Sequence, residues 1–345
     1  MRVLCYSSFT FSYLNRARVL FRSLRHFHPD WELVALMTDE PPPGFVFDPA
    51  SEPFNRVVWA QDLGVENFKS WLFRHDVIEI STAVKGPFLH QACASGAADV
   101  VMYLDPDTAL FKRLDPLIEM LQTDDVLLTP HLIDPNDDDA AIRDNDLSAS
   151  RTGIFNLGFV AVRAAGEGAR FAKWWSDRLL RYCYDDISNG VFVDQRWCDH
   201  VPALFDKVKV VRDPGYNVAS WNLSTRKLAI GKDGRILVNG APLRFWHFTK
   251  LGATGDSMTK RYAGDNYPVY EIWNWYKRQI AVCTDPAIPE RWWAYDAFAD
   301  GAKIARAQRV LYRQREDLHA AFPDPFASGP GSYQAWYAVE AEPKP

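Results

Sequence analysis

The stretch Val100-Val101-Met102-Tyr103-Leu104-Asp105-Pro106-Asp107-Thr108 decides the fold of this chain. Five apolar residues run directly into two acids that are separated by a single proline. A short apolar run bounded by charge and proline predicts a strand that is buried on both faces, as strands of a parallel sheet are. Because an open parallel sheet binds ligands just beyond the carboxyl ends of its strands, Asp105 and Asp107 stand at a predicted ligand site.

Asp105 and Asp107 also have the spacing of a metal site. Side chains at i and i+2 point the same way in an extended chain, and Pro106 favours an extended conformation at the residue before it. Two carboxylates are hard oxygen ligands, suited to Mg²⁺ or Mn²⁺ and, through the metal, to a diphosphate. The alternative is that the pair caps the turn after the strand.

The sequence before this stretch predicts an α/β fold. Residues 2–7 predict a strand, apolar residues at helical spacing predict a helix that ends at Pro29, and residues 33–37 predict a second strand. A β-α-β order begins a parallel sheet, so we expect a mostly parallel central sheet. No Gly-x-Gly-x-x-Gly follows the first strand, which argues against a nicotinamide or flavin site.

Later segments divide the chain in two. Residues 153–162 and 243–248 predict further strands, whereas the acidic segment 134–146 lacks apolar periodicity and predicts a solvated loop. After Gly264, helical patterns at 270–282 and 302–321 are joined by proline-containing turns. We therefore predict an α/β domain over residues 1–264 and a helical extension over residues 265–345.

Composition excludes several classes of protein. The chain has 345 residues and a formal net charge of −5, so no nucleic-acid partner held by phosphate attraction is expected. Its five cysteines are scattered and lack C-x-x-C spacing, which is typical of reduced thiols in a cytoplasmic protein. There is no apolar run typical of a secretory signal, nor one of the ~18 residues that a membrane span needs.

The segment Tyr103-Leu104-Asp105-Pro106-Asp107 resembles the D-x-D signature of nucleotide-sugar glycosyltransferases with a single Rossmann-like catalytic domain of GT-A type. Further segments follow in the order found in the retaining families that include glycogenin and the bacterial lipooligosaccharide galactosyltransferases. These segments are Thr82-Ala83-Val84-Lys85, Phe155-Asn156-Leu157-Gly158, Phe192-Val193-Asp194-Gln195 and Phe245-Trp246-His247-Phe248-Thr249-Lys250-Leu251-Gly252. The similarity covers roughly residues 1–260 and does not account for the extension.

The resemblance implies a metal site. It makes His247 the third ligand beside Asp105 and Asp107, and imidazole modestly favours Mn²⁺ over Mg²⁺. Lys85 would face the donor and offset phosphate charge, and Lys250 would pair with the diphosphate where the Lys-Pro-Trp of the family pattern is missing. The alternatives are a structural histidine at 247 and a surface lysine at 85.

The resemblance also implies which residues contact the donor sugar. Asn156 would touch it, and Asp194 and Gln195 would lie beside the anomeric carbon. Gln195 would stabilise developing positive charge through its carbonyl dipole, and Asp194 would bind sugar hydroxyls. Leu157 is larger than the small residue of the family pattern. Asn156 as a satisfied core amide and Asp194 as a helix cap are the structural alternatives.

The expected activity is transfer of a sugar from a nucleoside diphosphate sugar, expected to be UDP-linked, to a glycan or lipid-linked saccharide. The uracil and ribose would lie on loops after the first two strands, near Ser7, Ser8, Thr10, Thr38 and Asp39. Retention of configuration is expected, although Asp194 as a base leaves inversion open. A non-catalytic lectin-like scaffold and a nucleotide-sugar hydrolase are alternatives from other functional classes.

The extension is rich in aromatic and basic residues. They include Trp273, Trp275, Tyr276, Lys277, Arg278, Trp292, Trp293 and Tyr295. Such residues are typical of a segment that binds a membrane interface, which would place a cytoplasmic protein peripherally at the inner face of the membrane. They are also typical of side chains that pack an extension onto the domain beside it.

Overall fold

A computed structural model describes residues 1–340 of the protein. Residues 341–345, the end of the predicted extension, lie outside the described residues. The strands are β1 (Val3–Phe9), β2 (Glu32–Met37), β3 (Arg56–Trp59), β4 (Val100–Leu104), β5 (Thr108–Leu110), β6 (Val126–Pro130), β7 (Phe155–Arg163), β8 (Asp185–Asp186), β9 (Val191–Phe192), β10 (Val208–Val210), β11 (Leu228–Ile230), β12 (Ile236–Val238), β13 (Ala241–Pro242) and β14 (Phe245–His247). The helices are α1 (Leu14–Phe27), α2 (Phe68–Phe73), α3 (Val77–Ala83), α4 (Lys85–Ala94), α5 (Asp115–Met120), α6 (Asp139–Ala141), α7 (Leu147–Thr152), α8 (Gly166–Tyr182), α9 (Val201–Leu204), α10 (Ala253–Ala263), α11 (Tyr267–Cys283), α12 (Arg306–Gln314), α13 (Glu316–Ala321) and α14 (Tyr333–Glu340).

The central sheet has seven strands in the order β10-β6-β7-β4-β1-β2-β3. The pairs β1–β2, β1–β4, β2–β3 and β6–β10 are parallel. Only β7 runs antiparallel to its neighbours, β4 and β6. The predicted α/β fold with a mostly parallel central sheet is therefore confirmed.

The deciding stretch forms the central strand β4, and every residue of it is buried. Side chains of a strand alternate between the faces of the sheet. Val101 and Tyr103 accordingly join the hydrophobic core that α4 and α8 cover. Val100, Met102 and Leu104 join the second core, on the side of α1. This two-sided burial explains why the sequence of β4 is continuously apolar.

A short antiparallel pair brings the end of the α/β domain to the central strand. β14 pairs with β5, and His247 lies opposite Thr108. The backbone N–H of Phe248 donates to the carbonyl of Asp107 at 2.7 Å. This pairing places His247 beside the two aspartates that follow β4.

Two local predictions are wrong. The acidic segment predicted as a loop is helical from Asp139 onward, through α6, a π-helical turn at Ile142–Asp146 and α7. Asp138 caps its first turn by accepting from the N–H of Ala141, and Asp144 pairs with Arg261 at 2.8 Å. The acidic side chains thus have partners in a helical segment. The prediction of a loop was based on the absence of apolar residues at helical spacing, and this helical segment forms without that spacing.

The second correction concerns the helix predicted over residues 302–321. It is two helices, α12 and α13, because Arg315 between them has an extended backbone, with φ −116° and ψ 95°. The backbone geometry of a single residue thus interrupts a pattern that is otherwise helical.

The extension packs against the α/β domain. Phe73 at the end of α2 shares a hydrophobic cluster with aromatic and aliphatic residues of the extension, namely Phe298, Ile304, Tyr312, Leu318 and Tyr333. Trp273 and Tyr276 of α11 are buried as well. No helix within residues 1–340 is long and apolar enough to cross a membrane. The division after residue 264 stays a prediction.

Candidate metal and ligand site

Three predicted metal ligands meet at the carboxyl end of β4. Asp105, Asp107 and His247 each offer a ligand atom, and these atoms lie within 4.8 Å of one another. His247 Nε2 is 3.1 Å from Asp107 Oδ1 and 3.6 Å from Asp105 Oδ2. His247 and Asp107 are buried, whereas Asp105 is partly exposed. The residues are therefore close enough to share one cation.

The hydrogen bonds behind His247 fix the direction of its imidazole. Nδ1 lies 3.2 Å from Asn156 Oδ1 and 3.3 Å from Asn217 Oδ1. Because both atoms are acceptors, Nδ1 carries a hydrogen and Nε2 is the atom presented to the aspartates. Gly158 makes room for the ring, since a Cβ there would lie 2.6 Å from Nδ1.

This arrangement calls for positive charge between the imidazole and the carboxylates. A neutral Nε2 would present its lone pair to two carboxylate oxygens, so either a proton or a metal ion must lie between them. Burial lowers the pKa of His247, but the carboxylates of Asp107 and Asp105 outweigh burial and raise it. Burial conversely raises the pKa of Asp107, and His247 outweighs it, with a net lowering. The donor set of two carboxylates and one imidazole fits Mn²⁺ or Mg²⁺.

Lys85 lies behind the aspartates at the first position of α4. Its Nζ is 3.1 Å from Asp105 Oδ1 and 2.9 Å from Asp194 Oδ2, and it also donates to the carbonyl of Leu157. Burial lowers the pKa of Lys85, and the two carboxylates outweigh it, so the pKa is raised overall. The ammonium is therefore charged, and it is 2% exposed. The alternative of a surface lysine at position 85 is therefore wrong, and a role of Lys85 toward the donor stays a prediction.

Asp105 has one further partner, Tyr103, whose hydroxyl donates to its Oδ1 at 2.6 Å. Tyr103 is itself buried in β4 and also hydrogen-bonds Ser8. One carboxylate oxygen of Asp105 is thus held by Tyr103 and Lys85. The other, Oδ2, faces His247, which leaves it available as a metal ligand.

Of the residues predicted to hold the donor sugar, Asn156 contacts His247, whereas Asp194 contacts Lys85 and Gln195 contacts Asn156. Asn156 accepts from the N–H of Gly158 and from Asn217 Nδ2, each at 3.0 Å. Gln195 Nε2 donates to the carbonyl of Thr152 at 3.0 Å, and its Oε1 lies 3.4 Å from Asn156 Nδ2. Asp194 is 2% exposed, and burial raises its pKa despite the neighbouring Lys85. The roles of these three residues toward a sugar stay predictions.

A cavity of about 470 Å³ opens beside the aspartates. Its walls come from the end of β1, from α3, from the start of α4 and from the extension. Among the predicted ligand residues, Ser8, Thr10, Lys85, Asp105 and Asp107 line it.

The other residues predicted for the nucleotide do not line this cavity. β1 runs on to Phe9, so Ser7 is a buried strand residue rather than part of a loop. Thr38 is buried at the end of β2. Asp39 accepts from the N–H of Phe11 at 3.1 Å and of Ala294 at 2.7 Å, so its carboxylate holds the extension in place.

Lys250 lies in the turn after β14, where it is exposed and its backbone is left-handed, with φ 54°. It does not line the cavity beside the aspartates. Its pairing with a diphosphate stays a prediction.

Sequence reasoning missed several residues of the site. Asn217 holds His247, and His131 lies 3.2 Å from Asn156 Nδ2. Burial lowers the pKa of His131 to about 4, so this histidine is neutral. Arg291 and Trp293 of the extension line the cavity. None of these residues belongs to a motif with a known ligand role. Asn217 follows the turn sequence Pro214-Gly215, and Trp293 lies in the aromatic segment of the extension, but neither pattern indicates a contact with this site.

Comparison with known sequences finds limited similarity. No family model matches the chain. It is 30% identical over 151 residues to the uncharacterized protein YfnF of Bacillus subtilis (strain 168), which covers 43% of this chain and 48% of YfnF. It is 35% identical over 101 residues to YfnD of the same strain, covering 29% of this chain and 32% of YfnD. The chain thus spans about half or less of these relatives.

Comparison with solved structures finds similar chains at low identity. The galactosyltransferase LgtC, in complex with donor and acceptor sugar analogues, is 14% identical with a TM-score of 0.48, covering 84% of this chain and 98% of LgtC. The glycosyltransferase GlyE of Streptococcus pneumoniae TIGR4 is 13% identical with a TM-score of 0.40, over 81% and 64%. Mouse xyloside xylosyltransferase 1 is 14% identical with a TM-score of 0.39, over 72% and 97%. These values are too low to carry an argument about function.

Proposed function

We propose that the chain is a metal-dependent glycosyltransferase that moves a sugar from a UDP-linked donor to a glycan or lipid-linked saccharide acceptor. One observation carries the proposal: Asp105, Asp107 and His247 converge within 4.8 Å at the edge of a mostly parallel sheet. This edge is where open α/β sheets bind ligands. The proximity of the D-x-D pair and the distant histidine, beside a cavity of ligand size, supports a single site.

Glycosyl transfer from such a donor requires that the negative charge of the leaving diphosphate be stabilised. A divalent cation held by Asp105, Asp107 and His247 would neutralise the charge that grows on the departing diphosphate. Lys85 holds Asp105 in position through the contact at 3.1 Å. The buried ammonium of Lys85 adds positive charge behind the aspartates, where the low dielectric strengthens its effect.

Asn156 and Gln195 would contact the donor sugar. The Gln195 amide is oriented by its hydrogen bond to the Thr152 carbonyl, and its Oε1 is directed toward Asn156. A fixed amide oxygen stabilises positive charge at a nearby anomeric carbon without reorganising during the reaction.

The surroundings of Asp194 support retention of configuration. An inverting enzyme needs a base that reaches the acceptor hydroxyl, and Asp194 is the residue that the sequence offers for this role. Its carboxylate is 2% exposed and ion-paired with Lys85 at 2.9 Å, so it is poorly placed to take a proton from an acceptor. The departing phosphate would then accept that proton.

The first experiment measures sugar transfer or UDP release from a panel of UDP-sugars in the presence of Mn²⁺. Asp107→Asn removes a charged ligand, and metal stabilisation is worth several kcal/mol, so we expect activity to fall on the order of 100-fold or more. The acidic segment contains a second D-x-D sequence, Asp137-Asp138-Asp139. Asp137→Asn alters its exposed first aspartate and serves as the matched control.

The outcomes separate the proposal from its alternatives. Full activity in Asp107→Asn would rule out the metal site as the centre of catalysis. A wild-type protein that binds no UDP with Mn²⁺ would be a scaffold. Release of free sugar at the same rate with and without saccharide acceptors would identify a hydrolase.

A further inference from the structure

We propose that Arg291, delivered by the helical extension, binds the diphosphate of the donor. This inference rests on the proposed function, and it adds a ligand-binding residue that lies beyond the α/β domain. Arg291 lines the same cavity as Asp105 and Asp107. The segment that carries it, residues 291–296, also contributes Trp293 and Asp296 to the cavity wall.

The α/β domain holds this segment in place through backbone and side-chain hydrogen bonds. The Ala294 N–H donates to Asp39 at 2.7 Å, and the Trp292 indole donates to the carbonyl of Glu40 at 2.9 Å. Both acceptors follow the end of β2, at the edge of the sheet where ligands bind. The extension therefore covers part of this edge rather than lying remote from it.

Arg309 secures the segment from behind. Its guanidinium donates to the carbonyls of Phe73 at 3.2 Å and His75 at 3.0 Å, and it lies 4.8 Å from the centre of the Trp293 ring. Arg309 also donates to the carbonyl of Tyr295. Because Arg309 joins residues of the α/β domain to residues on either side of Ala294, the wall at 291–296 is fixed before any ligand arrives.

The charges around the cavity favour an anion at Arg291. Lys85 is held by two carboxylates, whereas Arg291 is exposed and forms no ion pair within residues 1–340. Asp296, on the same wall, pairs with Lys303 at 3.3 Å. Of the two positively charged side chains that line the cavity, Arg291 is thus the one whose N–H donors are available to a ligand. A guanidinium binds phosphate oxygens in a bidentate fashion.

The backbone of Arg291 is held in an unusual conformation. Its φ is 61°, in the left-handed region that few residues other than glycine adopt. Non-glycine residues keep such conformations where surrounding structure imposes them, and they cluster at ligand-binding sites. This backbone conformation also makes Arg291→Gly a suitable test variant, because glycine adopts this φ without cost and lacks the side chain.

The test is calorimetric titration of the full chain with UDP and with UMP, each in the presence of Mn²⁺. Arg291→Gly should weaken UDP binding about tenfold, the scale of one lost charge-assisted hydrogen bond. It should weaken UMP binding less, because UMP lacks the second phosphate. Arg291→Lys should restore part of the affinity, and Arg278→Ala, an exposed arginine of α11, should bind like wild type.

Two results would overturn the inference in distinguishable ways. Equal UDP affinity in wild type and Arg291→Gly would remove the role of Arg291 and leave the proposed function standing. If wild type binds no UDP with Mn²⁺, the proposed function fails and the inference fails with it. Thermal melting of Arg291→Gly confirms that the variant is folded.

Discussion

The orientation of one imidazole controls the candidate metal site. Asn156 and Asn217 accept from Nδ1 of His247, so its Nε2 is turned toward Asp107. Groups that orient a metal-binding histidine commonly tune affinity by 10- to 100-fold. Gly158 belongs to this support, because its missing side chain is what lets the ring approach β7.

Gly158→Ala tests this support at the scale of one methyl group. A Cβ at 158 would lie 2.6 Å from His247 Nδ1 and 2.7 Å from Asn156 Oδ1, which forces the ring away from the aspartates. We expect Mn²⁺ affinity to fall about tenfold or more, measured by titration calorimetry. Ala161 is a buried core residue of the same strand. Ala161→Val would overpack the core there and cost about 1–3 kcal/mol of stability, but it should leave Mn²⁺ affinity intact. Unchanged affinity in Gly158→Ala would contradict this account.

At the scale of elements, the extension and the α/β domain share hydrophobic clusters. Tyr312 of α12 is fully buried, packs on the ring of Phe73 at 5.1 Å between centroids, and donates to Ser70 at 2.9 Å. Cores shared in this way couple the stabilities of the elements that build them. The aromatic residues of the extension are thus largely occupied in packing, and peripheral membrane contact stays a prediction that liposome flotation tests.

Tyr312→Ala measures that coupling. Removing a buried aromatic side chain costs about 3–5 kcal/mol, and we expect calorimetry to show one transition at a lower temperature. Tyr267→Ala truncates a tyrosine of the extension that is 75% exposed and should melt like wild type. A new low-temperature transition, with the main one unmoved, would mean that the extension unfolds separately from the α/β domain.

At the scale of the whole molecule, buried histidines make the fold sensitive to acid. Burial lowers the pKa of His28 to about 4 and that of His75 to about 3, against about 6.5 in an unfolded chain. Between these values the unfolded state binds more protons than the folded state, so stability is lost as the pH falls below about 6.5. Each histidine contributes at most about 1.4 kcal/mol per pH unit to this slope.

His28→Gln isolates one part of that slope. Glutamine keeps an acceptor for the N–H of Leu114, which donates to His28 Nε2 at 2.9 Å, but it does not titrate. The free energy of unfolding, measured in urea at pH 7 and pH 5, should drop less on acidification than in wild type. His26→Gln changes an exposed histidine and should retain the wild-type slope. An identical slope in His28→Gln would show that His28 does not titrate on unfolding.

The sequence by itself determined the central strand, the α/β class and the position of Asp105 and Asp107 directly after that strand. Those features depend on short-range chemistry: a continuous apolar run is stable only when buried on both faces, and acids after it must lie at the sheet edge. The position of His247 was suggested by resemblance, whereas its contact with Asp107 depends on the pairing of β14 with β5.

Only the tertiary structure decided how distant segments share the site. Asn217 reaches His247 through a turn with no motif of its own, Asp39 holds Ala294 instead of facing the cavity, and Arg291 arrives from the extension. Each of these contacts joins residues far apart in the chain. Local propensity carries no information about such pairs, because chain packing as a whole sets which side chains meet.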